Sequence, residues 1–520
     1  MNTGQKAGTR RWWALGAIAA AVLAVGLDTT ILSVALPTLS KALHASESDL
    51  QWFSSGYALA LAAAMLPMGL LGDRYGHKKL LLIALPVFGG GSALCAYSSS
   101  VTTFMIARIL MGIAGAALVV MALSAVTILF EKTERPKAVG IWSAVNFLAL
   151  PLGPILGGWL LTHYWWGSVF LINVPVALLA LIAVATLIPE SERLPRAPFD
   201  IFGIITSTGG LSVLTYGLIK AGEEGWSNAG ALMLMMIGLV SLASFFVWER
   251  RLTRHNQNKA LVDMSLFSSA SFTWGIVLST LGIFAMIGVL FTLPQYFQGV
   301  LDVNAIGSGM RLLPVIGGLV LGAVPADRFA KLWGAKITVA IGFIILAIGT
   351  FMGAATKIDS STSFVVAWTM IVGVGIGLSL ATASSAALVE LSEKRSGVGS
   401  ALLQAANKVG SPFGAAILGS VLSGGYLAHL QLSNTPLALH VAVRESVFGG
   451  VAVAKALNSP TLLSNVQQAF MQGMQRTLLF SGGVALFGVV VSFVFLPRAN
   501  VAPSPGSEKW GSAKSLVAPK

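Results

Sequence analysis

The chain has 520 residues, of which 55% are hydrophobic and only 10% charged, against about 25% charged in ordinary soluble domains. So little charge cannot cover a soluble surface, and 57 glycines suit helices packed closely in lipid. The net charge of +13 would admit a nucleic-acid partner, but its spacing along the chain argues for no nucleic acid, and the single cysteine, Cys95, allows neither an internal disulfide nor a cysteine metal site.

The first apolar run, residues 12–35, follows Lys6, Arg10 and Arg11. It is too long for the apolar core of a signal peptide and contains Asp28, so it reads as a first spanning helix. A span needs roughly 20 apolar residues. Such stretches lie near 12–36, 50–71, 79–98, 101–124, 137–161, 165–187, 200–220, 227–247, 269–292, 305–326, 336–355, 364–388, 397–423 and 476–496. The expected fold class is an all-α polytopic membrane protein with 14 transmembrane helices and both termini on one side. Segments on the N-terminal side would hold 24 Lys and Arg, opposite segments 6, which places both termini in the cytoplasm.

Residues 189–198 (PESERLPRAP) and the basic stretch 249–263 read as linkers around spans 7 and 8. The domains are therefore a six-helix bundle over 1–188, linkers with two additional spans over 189–263, and a second six-helix bundle over 264–497. That second bundle includes a long outer segment, 424–475, which should not span. A cytoplasmic tail, 498–520, follows. An internal echo relates the halves. Gly69, Asp73, Arg74, Gly76, Lys78 and Lys79 follow span 2; Gly322, Asp327, Arg328, Lys331, Gly334 and Lys336 follow span 10.

An ionised group in hydrocarbon is costly and needs a reason. Asp28 lies roughly 12 Å from the outer end of span 1, and Arg108 at similar depth in span 4, at 1.5 Å rise per residue. Either Asp28 takes and releases a proton, or the two form a fixed tie between spans 1 and 4. Burial and a neighbouring arginine act on a carboxylate's proton in opposite senses, so a change in the pairing would switch it. Arg311, about 9 Å from the outer side, either snorkels or lines a cavity. Lys408 sits near mid-membrane in span 13, with Gln404 on the same face and Ser400 and Ser411 nearby. A lysine so deep is expected to face a wet cavity.

Span 5 carries Gly153, Pro154, Gly157 and Gly158, a helix-kinking proline among small residues. Enzyme features are wanting. No His/Cys/carboxylate cluster has metal-ligand spacing, Gly373, Gly375 and Gly377 lie inside an apolar span, and there is no phosphate loop through which ATP would drive transport. No enzyme, no metal and no cofactor beyond coupling protons are expected.

Together these residues resemble the major facilitator superfamily, specifically its fourteen-helix drug/proton antiporters of the quaternary-ammonium and multidrug efflux type. The resemblance covers about residues 10–497. It rests on residues 27–37 (LDTTILSVALP), on Gln51-Trp52 through Tyr57, on the 69–79 loop, on 108–112, and on Gly153-Pro154-x-x-Gly157-Gly158. It implies a 6+2+6 arrangement and a multi-pass protein of the bacterial cytoplasmic (inner) membrane, functional as a monomer. Proton coupling would rest on Asp28 with Arg108. A cytoplasmic latch would use Asp73 and Arg74, with Asp327 and Arg328 as its degenerate counterpart; an acid there can engage a facing helix N-terminus. The glycine-proline helix would hinge between the halves. Arg444-Glu445-Ser446, in the long outer segment, also resembles pumps for quaternary ammonium compounds.

One departure stands out. Those cation pumps carry acids in span 13, where this chain has Gln404, Asn407 and Lys408. Excess positive charge at mid-membrane disfavours divalent cations. The expected substrates are small amphipathic compounds that are neutral, zwitterionic, anionic or at most monovalent cations, in a cavity lined by Gln404, Asn407, Lys408, Arg311 and Tyr57. The expected function is proton-coupled export of drugs or antibiotics. The alternatives are a dedicated exporter of one metabolite, siderophore or antibiotic, and a non-transporting membrane sensor.

Overall fold

The computed structural model describes residues 3–45, 47–131, 134–190, 200–255, 262, 264–389, 391, 396–432 and 436–497. Most of the first linker, part of the second, and the tail 498–520 lie outside the described residues. Within them the chain is helical, with no strand.

The first half comprises α1 (Thr3–Leu43), α2 (Glu47–Tyr75), α3 (His77–Ala96), α4 (Val101–Leu129), α5 (Arg135–His163), α6 (Ser168–Leu171) and α7 (Asn173–Leu187). The inserted pair is α8 (Ile201–Glu224) and α9 (Ala229–His255). The second half comprises α10 (Ala270–Gln295), α11 (Ala305–Arg311), α12 (Leu313–Ala323), α13 (Ala326–Ala354), α14 (Thr362–Val389) and α15 (Ser396–His429). It closes with the short α16 (His440–Glu445) and α17 (Val447–Ala456), then α18 (Pro460–Phe495).

Local sequence sets many of these ends. Ser100, Asp200, Ser269, Asn304 and Ser459 each accept a backbone N–H of the first turn of α4, α8, α10, α11 and α18, satisfying donors that a helix start leaves open. Gly76 (φ 97°) separates α2 from α3, and Gly334 (φ 82°) breaks α13. Both occupy the left-handed region that favours glycine, so the echo between the halves extends to backbone conformation.

All fourteen predicted stretches are helical, and eleven helices among the described residues are long and apolar enough to cross a membrane. The stretches near 137–161, 305–326 and 397–423 are outside that set. Small and polar residues dilute the last, and the middle one is divided at Leu312 into the shorter α11 and α12. The outer segment is shorter than the expected 424–475. α15 runs on to His429 and α18 begins at Pro460, so only 430–459 remain between them. There Lys455 pairs with Asp302 (2.8 Å) and Tyr426 donates to the Val443 carbonyl (2.7 Å), capping one end of the bundle.

Two large buried clusters form the core, the first reaching from the first half into α14 and α15 of the second half. Phe53, Phe88, Phe104 and Met111 belong to the first, and Phe297, Phe343, Trp368 and Phe470 to the second. Outward-facing Leu179, Leu321 and Phe487 remain exposed, as a bilayer-facing surface requires. The halves meet where α2 packs on α15 and where α5 packs on α12 and α14. The inserted helices pack on each other, and α8 leans on both α2 and α15. The end bearing Gly76, Lys78, Lys79 and Arg135 is termed the basic end, and the opposite one the cap end.

The glycine run of α14 makes its packing possible. A Cβ at Gly373 would lie 2.8 Å from Leu319 N, and one at Gly377 2.9 Å from Ala323 N. Backbones this close exclude side chains. Gly373→Leu is expected to cost at least about 1–3 kcal/mol by overpacking, read as a lowered unfolding temperature in detergent. An unchanged transition would show that α12 and α14 part readily.

Candidate functional site

Asp28 on α1 and Arg108 on α4 are almost fully buried, and the Arg108 Nη1 donates to Asp28 Oδ2. Three neighbours fix the guanidinium. Its Nε donates to the Phe53 carbonyl (3.1 Å), and its plane lies 4.2 Å from the centre of the Tyr57 ring. Tyr57 in turn donates to the Val25 carbonyl (3.2 Å). Gly112 lets α4 approach α2 here, since a Cβ would lie 2.7 Å from the Tyr57 carbonyl. Asp28 Oδ1 and Arg108 Nη2 have no hydrogen-bond partner among the described residues. The pair therefore retains one open acceptor and one open donor.

Immediately beside it lies a polar cavity of about 240 Å³ between the halves. The first half contributes Thr29, Thr30, Trp142, Ser143 and Asn146. The second contributes Ser384, Gln404, Asn407 and Lys408. Asn407 Oδ1 accepts from Ser279 (2.8 Å) and Thr280 (3.3 Å), which holds its amide against α10. Lys408 is exposed into the open space, and it also lines an adjoining cavity of about 390 Å³ with Thr29 and Tyr57. Tyr57, Gln404, Asn407 and Lys408 are thus brought together. Arg311 is not. It lies at the end of α11 beside the Phe297 ring (5.9 Å) and lines none of these cavities.

At the basic end, Asp73 joins the two halves. Its carboxylate accepts from Gly397 N (2.7 Å) and Val398 N (2.9 Å) in the first turn of α15, and contacts His77 Nε2 (3.0 Å). A carboxylate there satisfies open N–H groups and the helix dipole together. Gly69 permits the approach: a Cβ would lie 2.6 Å from Ala401 Cβ. Arg74 stacks near Tyr75 (5.4 Å), and Lys78 begins α3 half-buried. The second copy is different. α5 approaches α12 closely at Gly140 and Ala323, yet Asp327 bonds Lys331 one turn along its own helix (2.9 Å), while Arg328 is exposed. The echo therefore preserves the backbone approach without an acid-to-helix bond.

Sequence reasoning missed Arg135. It is buried at the start of α5, and its Nη1 donates to the Leu388 carbonyl (3.1 Å) at the end of α14. A cation at a helix C-terminus is the counterpart of an acid at an N-terminus. Asp73 and Arg135, both from the first half, thus hold α15 by its start and α14 by its end. The missed signal was the position of Arg135 at a helix start, where it read only as one more loop base. Thr29, Thr30 and Asn146 were missed too, as isolated polar residues in apolar runs.

The glycines of α5 serve a local contact. Gly153 packs on Thr30 and Gly157 on Ile31, while a Cβ at Gly158 would meet nothing. Thr30 donates to the Ala149 carbonyl (2.8 Å). α5 continues unbroken through Pro154, and its glycines form a close α1–α5 joint within the first half. That joint begins two residues after Asp28.

The family model described as Major Facilitator Superfamily matches residues 18–415. The chain is 31% identical over 496 residues to the tetracenomycin C resistance and export protein of Streptomyces glaucescens, covering 93% of this chain and 91% of that one. It is 30% identical over 497 residues to the multidrug efflux pump LfrA of Mycolicibacterium smegmatis, covering 94% and 97%. Among solved structures, the proton:xylose symporter XylE aligns with a TM-score of 0.60 over 94% of this chain and 97% of that one, at 16% identity, a likeness of fold.

The two helix-end contacts make a prediction. Spin labels at Lys79→Cys and Leu332→Cys, in a Cys95→Ala background, report the width of the basic end. Arg135→Gln and Asp73→Asn should each shift the distance distribution toward wider separations, roughly tenfold or more in equilibrium weight, since a hydrogen bond to a charged group carries about 1.5–3 kcal/mol. A distribution unchanged by Arg135→Gln would remove that residue from closure.

Proposed function

The chain belongs to the Major Facilitator Superfamily, and we propose that it exports amphipathic drugs or antibiotics across the cytoplasmic membrane in exchange for protons. The observation that carries this reading is the buried Asp28–Arg108 pair set against a cavity between the halves. Two relatives matching nearly end to end are named for multidrug efflux and for antibiotic resistance and export.

In this reading the basic end is cytoplasmic and both termini lie there. Asp73 and Arg135 close that end, leaving the cavities to release substrate at the cap end. Protonation of Asp28 removes the charge that Arg108 neutralises. The guanidinium keeps its hold on the Phe53 carbonyl and the Tyr57 ring. The freed acid leaves α1 able to shift at Thr29 and Thr30, which face the cavity and join α5. Substrate leaving outward and a proton entering inward would thus use adjacent residues of one helix. The unit that works is a single chain, because the cavity is built wholly from its own two halves.

Lys408 sets the charge of the substrate. Its ammonium faces the cavity, and no carboxylate lines either space that it borders. Neutral, zwitterionic, anionic or monovalent compounds suit this wall, whereas two fixed positive charges meet unscreened repulsion. A relative named for one antibiotic also supports a second reading, a dedicated exporter of a single compound. A resistance profile in a host lacking its own pumps separates them by breadth.

Two outcomes are expected. In everted vesicles, substrate should dissipate a preformed proton gradient, and Asp28→Asn should abolish that response while the protein still folds; persistence of coupling would exclude Asp28. Purified wild-type protein should transport a bis-quaternary biocide poorly and Lys408→Glu should gain it. Strong wild-type transport of that biocide would sink the charge argument.

A further inference from the structure

The inserted pair α8–α9 has no part in the closure described above, yet it walls a cavity larger than either space that Lys408 borders. That groove, about 810 Å³, is lined by α8, α9, α10, α15, α18 and Leu66 of α2, and its lining is apolar apart from Thr280. Phe246, Phe413, Phe480 and Phe487 on its rim are 38–58% exposed, so it opens sideways, at the level of the apolar belt.

The groove neighbours the cavity that holds Lys408. Four helices, α2, α8, α10 and α15, line both it and the 390 Å³ cavity that holds Lys408. On α2 the groove residue is Leu66 and the cavity residues run from Tyr57 to Ala62; on α8 they are Leu211 and Leu214, then Thr215 and Ile219. On α10 they are Ile276 to Phe284, then Ile287 to Phe291. α2 runs toward the basic end and the other three away from it. α2, α8 and α10 therefore place their groove residues nearer the basic end, whereas on α15 Lys408 lies among the groove residues, between Ala406 and Gly410. The two spaces are neighbours in the crevice between these four helices.

α8 roofs this crevice and is fastened to both halves. Tyr216 stacks on Trp52 of α2 (5.9 Å), and Trp226 donates to Ser420 Oγ of α15 (2.8 Å). Thr215 is buried on the wall of the cavity, and its Oγ1 has no partner among the described residues. A buried hydroxyl without a partner is uncommon and suits a ligand contact.

We propose that this crevice is a side portal, by which an amphipathic substrate already dissolved in the bilayer reaches Lys408. Its apolar body occupies the phenylalanine-rich groove. Its polar or anionic head advances past Thr280 to Asn407, Thr215 and Lys408. The inserted helices are then part of the substrate route, with α8 as its outer wall. This rests on the export reading. The competing occupant is a lipid chain held permanently in the groove.

Gly483 on α18 lines the groove, and a Cβ there would meet nothing within 4 Å. Gly483→Cys in a Cys95→Ala background can thus be folded, reconstituted and only then alkylated with benzyl maleimide. Export is read with ethidium, rhodamine 6G and anilinonaphthalene sulfonate loaded into the bilayer. Alkylation should remove most of the export shown by the unmodified variant, and the exported probe should slow alkylation in detergent. Gly90→Cys, on the outer face of α3 with equally free space, should export equally before and after alkylation. Full export by alkylated Gly483→Cys, or protection by phospholipid alone, would overturn the portal. Export of none of the three probes by the unmodified protein would instead overturn the export reading, and the portal with it.

Discussion

A guanidinium and a carboxylate held together inside a hydrocarbon-facing bundle constrain what surrounds them. Neither Asp28 nor Arg108 has access to solvent, and removing one partner from such a pair costs about 3–5 kcal/mol, because the other charge is left uncompensated. The surroundings reflect this. The Phe53 carbonyl and the Tyr57 ring hold the arginine from α2, and Gly112 brings α2 and α4 within reach. Among the described residues the arginine has three supports and the acid one. A proton arriving at Asp28 would therefore disturb α1 and leave α4 in place.

That asymmetry continues along α1 and α5. The residues following Asp28 are Thr29 and Thr30, which border the cavity; Thr30 is bonded to α5 and covered by Gly153. A shift of α1 would therefore bear on α5 at this joint. The start of α5 carries Arg135, which holds the end of α14. A chain of contacts thus runs from the buried acid to the closed basic end. Closure there uses polar contacts with helix ends, which water can replace when the end opens. An equally large apolar seal would have no such replacement. The α2–α15 and α5–α12 approaches beneath it involve Gly69, Gly140 and Gly397, which present backbone without bulky side chains.

Much of this was legible in the sequence. Apolar runs located the helices, and opposing helix directions put Asp28 and Arg108 at one depth, where the structure joins them. The acid at the end of α2 meets a helix N-terminus because Asp73 lies one turn from the helix end and Gly69 clears the way. Less legible were properties that depend on which helices become neighbours. Arg311 lies within the sequence-defined span, but its packing partner is the Phe297 ring and it lines neither cavity that Lys408 borders. Asp327 repeats Asp73 in motif, but Lys331, one turn away, captures it. Gly153 and Gly157 read as a hinge, yet their partner is α1. In each case the motif determined a local shape, and the packing partner determined what the shape was for.

The polar cavity and the apolar groove now explain why Lys408 can be tolerated so deep. A lysine facing lipid would be driven toward the membrane surface, but here α10 and α15 place it in a cavity beside Asn407, whose carbonyl Ser279 and Thr280 hold. On the other side of the same helices, Ala405, Ala406 and Gly410 face the groove. One turn of α15 thus presents amide and ammonium groups to one space and small apolar side chains to the other. A molecule with a similar division between polar head and apolar body would satisfy both surfaces together. A small polar solute would satisfy only the first, and a hydrocarbon only the second. The selectivity expected of such a wall is for amphipathic shape first and for particular functional groups second.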